Sequence, residues 1–169
     1  MPVPLRLIER RPFAVIGIEG QGSSWNPPSW IQPLWARALQ HRVQVAGLIR
    51  PDGWGLMSGE DPYLSAWDEE GGRYLAGWEL IDSNTEEAPD GWTIWRLPAL
   101  LLAGLECTLP TLETSIMKLH ESLEARTDLR PAGAILEYYP PTFEGRPQDH
   151  ILLVQIVERV NSDPNPQEG

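Results

Sequence analysis

The chain has 169 residues with 13 basic and 24 acidic side chains, which gives a formal net charge of -11 at pH 7. Binding of nucleic acid through its phosphates requires a cationic surface, so this charge argues against direct contact with DNA or RNA. The hydrophobic fraction of 41% suffices for a folded core and lies outside the range of disordered chains. We therefore expect one domain, or two small and intimately packed units.

Cysteine and histidine usage restricts the chemistry further. The single cysteine, Cys107, excludes an internal disulfide and a thiolate metal cluster. His41, His120 and His150 are far apart and have no metal-ligand spacing. The first residues lack a secretory signal, and the longest apolar run, 99–105, is far shorter than the ~20 residues of a membrane helix. These features predict a cytoplasmic protein that uses no metal or organic cofactor and does not contact a membrane.

The first part of the chain predicts a strand followed by a helix. Residues 5–20 are rich in alternating and β-branched side chains, which indicates a long strand interrupted at Pro12, where a ladder donor is missing. Ser29 and Gln32 have the spacing of a capping box. The apolar residues that follow recur at helical spacing, and the helix is expected to end near His41.

Two strands and two loops are predicted next. Residues 51–53 read Pro-Asp-Gly, which is typical of a turn. A short strand is expected over 54–58 and a longer one over 73–81, separated by a loop over 58–70 that is rich in Gly, Asp and Pro. The acidic segment 82–91 predicts an exposed connector.

The second part repeats this order. Residues 92–107 predict a long strand that is broken near Pro98, as the first strand is broken near Pro12. Thr108 and Glu113 are helix start signals, and an apolar stripe follows them. The remaining predictions are a turn over 131–133, strands over 133–139 and 150–158, and a disordered polar tail over 161–169.

Long-range self-similarity gives the fold class. The segment 11–19, RPFAVIGIE, returns as LPALLLAGLE over 97–106, and similar elements follow each copy. This duplication predicts an α+β fold made of two β-α-β-β units related by a pseudo-twofold axis, with an antiparallel sheet and two main helices. Residues 1–160 would form one domain with halves of about 4–82 and 92–158, and a ligand cleft would lie where the halves meet.

Glu137 is the most informative candidate for a functional residue. In a strand over 134–139, Ile135, Glu137 and Tyr139 share one face, and both faces are apolar apart from Glu137. A carboxylate shielded from water costs several kcal/mol unless its environment compensates it. It can pair with an arginine, remain protonated with a raised pKa as a general acid or base does, or await a cationic ligand among aromatic rings. The residues alone leave these three options open.

Over residues 4–158, the chain resembles the GyrI-like small-molecule-binding domain in several sequence features and in their order. They are the strand–Pro–strand–Gly opening, its second copy Leu97-Pro98…Gly104, and Leu136-Glu137-x-Tyr139 after the second helix. The resemblance implies two β-α-β-β units with a ligand cleft at their junction. It also implies that Glu137 meets the positive charge of a lipophilic cation, as the matching glutamate does in the family's multidrug sensors, and that Tyr139 supplies a nearby aromatic ring.

Aromatic side chains are abundant enough to line such a cleft. The chain has eight tryptophans and only two phenylalanines, and large flat rings offer stacking and cation–π surfaces as well as core volume. The predicted ligand-binding residues beside Glu137 and Tyr139 are Trp54, Trp67, Tyr74, Trp78 and Trp95.

The resemblance implies three alternative functions. The first is a stand-alone protein that senses or sequesters an amphipathic, cationic or aromatic small molecule. The second is a hydrolase that opens strained cyclopropane rings of DNA-alkylating natural products, in which Glu137 would be catalytic. The third is an inhibitor-like protein that contacts gyrase through its acidic surface. The identity of the ligand and of any protein partner is left open.

Overall fold

The computed structural model describes residues 2–59 and 64–160, so the predicted tail over 161–169 lies outside the described residues. The described part contains eight strands and two α-helices. The strands are β1 Arg6–Arg10, β2 Phe13–Gly22, β3 Ile49–Ser58, β4 Gly72–Leu80, β5 Thr93–Leu97, β6 Leu100–Thr108, β7 Leu129–Tyr139 and β8 His150–Arg159. The helices are α1 Pro28–Gln40 and α2 Leu112–Glu124, and short 3₁₀ helices follow α1 at Arg42–Val45 and precede α2 at Leu109–Thr111.

All eight strands form a single antiparallel sheet that curls into a half-barrel. The strand order is β1-β6-β8-β7-β3-β4-β2-β5, so the two halves meet where β7 pairs with β3. Read inward from either edge, the order is the same for the two halves. The predicted α+β class, the duplicated unit and the two main helices are confirmed.

The breaks predicted near Pro12 and Pro98 are confirmed, but each has a larger consequence than an interruption of one strand. β1 pairs with β6 of the second half, and β5 pairs with β2 of the first half. Each half therefore contributes its first strand to the sheet of the other. Proline removes a backbone donor from the ladder, and the chain crosses between the halves at these two positions.

The turns predicted over 51–53 and 131–133 are wrong, because both segments lie inside strands. β3 shifts register against β4 between Ile49 and Gly53, and β7 shifts register against β8 between Pro131 and Ile135. Proline and glycine are tolerated there because the strand bulges and leaves residues unpaired, without reversing direction.

The capping box predicted at Ser29 is also wrong. Helix α1 begins at Pro28 with Pro27 as its N-cap, and Ser29 Oγ donates a hydrogen bond to the carbonyl oxygen of Asn26 at 2.8 Å. Pro28 starts the helix because its fixed φ suits the first helical position. The second helical segment has the reciprocal capping contacts that the first lacks, between Thr108 and Thr111.

The hydrophobic core is divided by the sheet. Both helices pack on one face, where α1 covers the strands of the first half and α2 covers those of the second. The other face curls inward and packs on itself. The strip between α1 and α2, above the β3–β7 junction, belongs to neither helix alone and contains the predicted site.

Candidate functional site

Glu137 lies on β7 at the junction of the two halves. Its side chain points to the helix-covered face, and the residue is only 6% exposed. The junction itself is narrow, since β3 and β7 pair at only three positions, which are Gly53–Tyr139, Trp54–Tyr138 and Gly55–Glu137. The strands then separate, and the N–H of Ala134 donates to the carbonyl oxygen of Leu64 at 2.7 Å instead.

Two tyrosine hydroxyls donate to the same oxygen of Glu137. Tyr74 Oη is 2.6 Å from Oε1, and Tyr139 Oη is 2.8 Å from it. Tyr74 comes from β4 of the first half and is fully buried, whereas Tyr139 lies two residues after Glu137 on the same face of β7. The carboxylate is thus held by both halves of the molecule.

Glycines in the intervening strand create the space for this contact. A Cβ atom on Gly55 would lie 2.0 Å from Tyr74 Oη and 2.5 Å from Glu137 Oε1. A Cβ atom on Gly53 would lie 3.2 Å from the Cβ of Tyr139. Because β3 carries no side chain at either position, residues of β4 and β7 meet above it.

Helix α1 closes the site with Trp35. Its indole N–H donates to Tyr74 Oη at 2.9 Å, so hydrogen bonds run from indole to phenol to carboxylate. The Trp35 ring also makes edge contacts with Tyr139 at 5.0 Å and with Trp78 at 6.1 Å. Glu137, Tyr74, Tyr139 and Trp35 are called the Glu137 cluster below.

The electrostatics of the cluster differ from those of an ordinary ion pair. Within residues 2–59 and 64–160 no arginine or lysine pairs with Glu137, and only phenol groups compensate its charge. Burial raises the pKa of Glu137, while the hydrogen bonds from Tyr74 and Tyr139 act in the opposite direction. Burial and the nearby carboxylate raise the pKa of both tyrosines, which therefore remain donors at neutral pH.

This arrangement permits two kinds of chemistry. The carboxylate can accept a positive charge from a ligand, because no protein cation within the described residues already neutralises it. It can also exchange a proton with a bound molecule, because burial favours its neutral form. Pairing with a guanidinium, the first of the three options open at the sequence level, is not observed in the described part of the chain.

The structure brings some of the predicted aromatic residues to Glu137 and places others elsewhere. Tyr74 and Tyr139 contact the carboxylate directly, and Trp78 reaches the cluster through Trp35. The ring of Trp78 is also covered by the Arg42 guanidinium at 4.7 Å and lies 6.4 Å from the ring of Trp92. Trp78 is thus a buried wall behind the cluster.

Trp54 and Trp95 lie on the opposite face of the sheet from Glu137. Side chains alternate along a strand, and the register places both residues toward the inward-curling core. Trp54 packs on Phe13 and donates to Glu79 Oε1 at 3.2 Å. Trp95 donates to Glu19 Oε1 at 2.6 Å. The structure does not join these two tryptophans to the Glu137 cluster.

Trp67 lines a groove beside the cluster. Its ring stacks on Trp30 at 5.4 Å, and it borders a cavity of about 330 Å³ whose walls include Met57, His120 and Ile135. Ile135 shares a strand face with Glu137, so this groove adjoins the cluster at the point where β3 and β7 separate. The cluster is itself filled by aromatic side chains, and the open space lies next to it.

Sequence reasoning missed three contributors to the site. The helical pattern gives Trp35 only a place among the apolar residues of α1, and no local pattern marks Phe143, which contacts Tyr139 edge-to-face at 5.0 Å. The need for a residue without a side chain at Gly55 becomes visible only when three strands are aligned. The one signal in the sequence was Trp35 itself, a large aromatic ring among the apolar residues of α1.

No group of three or more His, Cys, Asp or Glu side chains within the described ranges could hold a metal ion. None of the helices in that part of the chain has the length and apolar character needed to cross a membrane.

Comparisons with known proteins give the fold. No protein-family model matches the sequence, and no curated protein is significantly similar to it. Among solved structures, SAV2435 bound to tetraphenylphosphonium is 12% identical with a TM-score of 0.67 and covers 94% of this chain and 95% of its own. The EcmrR C-terminal domain is 13% identical with a TM-score of 0.67 and covers 93% and 98%. A hydrolase from Listeria innocua is 14% identical with a TM-score of 0.54 and covers 91% of both chains.

The chain therefore has a GyrI-like fold over nearly its whole length, as the resemblance predicted. At these identities the likeness shows the fold and leaves the ligand and the chemistry to the residues of the site.

Proposed function

We propose that the chain binds an amphipathic small molecule that carries a positive charge or an aromatic ring, and that it senses or sequesters this molecule. The Glu137 cluster is the proposed binding site. The observation that carries the proposal is a buried carboxylate whose compensation, among the described residues, comes from phenol hydroxyls and from no cation.

The energetics of a buried charge support a cationic ligand. A carboxylate in a low-dielectric site gains more from an opposite charge than it would in water, and the missing partner makes that gain available to a ligand. The rings of Tyr139 and Trp78, which both contact Trp35, would contribute stacking or cation–π contacts to the same molecule. Since SAV2435, which has the same fold, is seen with tetraphenylphosphonium, a lipophilic cation is the natural first probe.

The groove beside the cluster supports the amphipathic part of the proposal. It begins where β3 and β7 separate and is lined by Met57, Ile135 and Trp67. Apolar walls next to a polar anchor are typical of small-molecule sites, in which a few polar groups fix orientation and the apolar surface provides contact area. A ligand whose charge meets Glu137 would place its hydrophobic part along this groove.

The direct test is binding of tetraphenylphosphonium to the wild type and to Glu137→Gln, measured by calorimetry and by quenching of tryptophan fluorescence. We expect wild-type binding and a loss of more than tenfold in affinity in the variant, because glutamine keeps the shape but removes the charge. Glu106→Gln is the matched control, since it removes the same charge from an exposed strand position. Equal affinities of the wild type and Glu137→Gln would reject the charge role.

A hydrolase is the second candidate. The pKa of Glu137 is raised by burial, which suits a proton acceptor or donor, and one protein with this fold is described as a hydrolase. In this case Glu137 would be the catalytic residue that activates water or takes up a proton while the rings hold the substrate.

Turnover separates the two candidates. The protein is incubated with an electrophilic cyclopropane compound, and mass spectrometry is used to detect a water adduct. Product that forms with the wild type and is absent with Glu137→Gln supports the enzyme. Product no greater than in buffer alone rejects the enzyme for that substrate and leaves the binding function as proposed.

A further inference from the structure

One member of the Glu137 cluster comes from outside the sheet. Tyr74, Tyr139 and Glu137 all project from strands, whereas Trp35 is brought in by α1. It is half-buried, and it is the residue through which the helix of the first half reaches Tyr139 of the second half. Its ring packs on Tyr139 and Trp78 beside the two hydroxyl donors of the carboxylate, and a ligand that used these rings would have to lie in the same place.

The contacts of Trp35 are those that such a ligand would make. Its indole N–H donates to Tyr74 Oη at 2.9 Å, and that hydroxyl donates onward to Glu137 at 2.6 Å. Its ring meets Tyr139 at an interplanar angle of 68° and Trp78 at 86°. Edge-to-face contacts of this kind match the positive ring edge to a negative ring face. The side chain therefore presents a flat ring to Tyr139 and Trp78 and a polarised N–H to the Tyr74 hydroxyl, which donates to the carboxylate.

The helix that carries Trp35 packs on the sheet through two buried residues and several half-buried ones. Only Leu34 and Ala38 of α1 are buried, and Leu39 is 60% exposed. Pro33 also removes one backbone donor from the helix immediately before this anchor. Withdrawal of Trp35 from the cluster would leave the strand residues in place, because their contacts with one another do not depend on the helix.

We propose that Trp35 is an internal occupant of the ligand site, and that the ligands that take its place are flat aromatic amines of about the size of an indole. This inference rests on the proposed function and narrows its ligand class. The space that Trp35 would vacate has the volume of one indole. The hydroxyl of Tyr74 lies between this space and the Glu137 carboxylate. A protein that fills its own site in this way has a reduced apparent affinity, since only the fraction with Trp35 withdrawn can bind.

Removal of the indole should therefore strengthen binding of a molecule that replaces it, as an engineered cavity binds a ligand that matches the deleted side chain. The probe is tryptamine, measured by calorimetry on the full chain. We expect Trp35→Ala to bind tryptamine at least tenfold more tightly than the wild type, and Trp35→Phe to lie between the two. Trp30→Ala is the matched control, because it removes a half-buried tryptophan of the same helix that stacks on Trp67 instead. Equal affinities of the Trp35→Ala and Trp30→Ala variants overturn the proposal.

The proposed limit on ligand size is tested by comparing two ligands of different volume. The gain on Trp35→Ala should be smaller for tetraphenylphosphonium than for tryptamine, because four phenyl groups do not fit the volume of one indole. An equal or larger gain for tetraphenylphosphonium overturns the indole-sized class.

Failure of this inference can be distinguished from failure of the proposed function. If Glu137→Gln weakens cation binding but Trp35→Ala does not strengthen tryptamine binding, the function stands and the internal occupant is rejected. If Trp35→Ala strengthens tryptamine binding but Glu137→Gln in that background has no effect, the occupant stands and the charge role is rejected.

A folding defect in Trp35→Ala does not remove the test. The wild type labelled with 5-fluorotryptophan gives ¹⁹F signals that Trp35→Phe and Trp30→Phe assign. Saturating tryptamine should shift the Trp35 signal by more than the Trp30 signal. An unmoved Trp35 signal under saturation overturns the proposal.

Discussion

The two faces of the sheet each hold a shielded carboxylate surrounded by aromatic rings, and the two carboxylates are compensated in different ways. On the inward-curling face, the side chain of Glu79 is 12% exposed, accepts from Arg10 Nη2 at 2.9 Å and from Trp54 Nε1 at 3.2 Å, and has Arg50 Nε at 3.9 Å. On the helix-covered face, Glu137 has the hydroxyls of Tyr74 and Tyr139.

The difference distinguishes a carboxylate that is paired with protein cations from one that has no such partner among the described residues. Glu79 joins β4 to Arg10 at the end of β1, and the Arg10 guanidinium also covers the Phe13 ring at 4.0 Å. The charge of Glu79 is thus neutralised by Arg10, and this ion pair links β4 to β1 in the curled sheet. Among the described residues, two phenols and no cation solvate the charge of Glu137, which is the reason for proposing that it meets an external cation. Burial and aromatic neighbours are common to both carboxylates, so the charge partner is the feature that distinguishes Glu137 as the proposed ligand site.

The largest effect on stability is expected at Gly55. The Gly55→Ala substitution would place a methyl group 2.0 Å from Tyr74 Oη, and Tyr74 is fully buried and cannot move aside. We expect a loss of about 3 kcal/mol, the upper range for overpacking, together with loss of ligand binding. Urea denaturation measures the first effect and calorimetry the second.

Gly47→Ala is the control for this prediction, because a Cβ atom at Gly47 meets nothing within 4 Å. If Gly55→Ala is as stable as Gly47→Ala, the packing of Glu137 and Tyr74 above β3 is not as described.

A smaller loss is expected for Glu79→Gln, of about 2 kcal/mol. This change leaves Arg10 without its charge partner in a site where the Arg10 side chain is only 28% exposed. Glu137→Gln, by contrast, leaves no protein cation unpaired among the described residues, and we expect its stability to change by less than about 1 kcal/mol. Urea denaturation of the two variants at pH 7 makes the comparison. Equal losses would contradict the distinction between the two carboxylates.

How much of this contrast could be predicted from the sequence depends on the range of the contacts. The helices, most strands and the shielding of Glu137 follow from local patterns, since Glu137 stands out within a six-residue apolar strand. The faces of Trp54 and Trp95 could not be assigned, because a tryptophan suits either face of a two-sided core and only the register decides. The crossing of β1 and β5 between the halves is likewise a long-range pairing that no local pattern encodes.

The glycines show a further limit of sequence reasoning. Gly53 and Gly55 make β3 appear a weak strand when read alone. They are required because side chains from β4 and β7 meet above them, which involves residues more than 60 positions apart in the case of Tyr74 and Glu137. Pro51 and Pro131 led to the wrong turn predictions for a related reason. A bulge inside a strand and a turn have the same local composition.

The pH dependence of stability should be the next smaller effect. Burial raises the pKa of Glu137 above its value in the unfolded chain, so between these two values the folded state retains a proton that the unfolded state has lost. The stabilisation from this group is complete below the unfolded pKa and is lost as pH rises through the folded pKa. The slope cannot exceed about 1.4 kcal/mol per pH unit for one proton. Denaturation midpoints of the wild type and Glu137→Gln across pH 4–8 measure it, and parallel curves would contradict it.

The smallest effect on stability is expected from removing the hydroxyl of either of two adjacent tyrosines that face opposite sides of the sheet. Tyr139→Phe removes one of the two donors to Glu137, and Tyr138→Phe removes the hydrogen bond to Asp52 on the inward-curling face. Each is expected to lower stability by about 1 kcal/mol at most. Tyr139→Phe should move the decline in stability that Glu137 produces to higher pH, because loss of a donor to this carboxylate raises the pKa of Glu137 further. The same shift in Tyr138→Phe, or none in Tyr139→Phe, would mean that the Tyr139 phenol does not solvate the Glu137 charge. A cationic ligand would compensate the same Glu137 charge, so the size of the shift also indicates how strongly the Tyr139 phenol already stabilises that charge without a ligand.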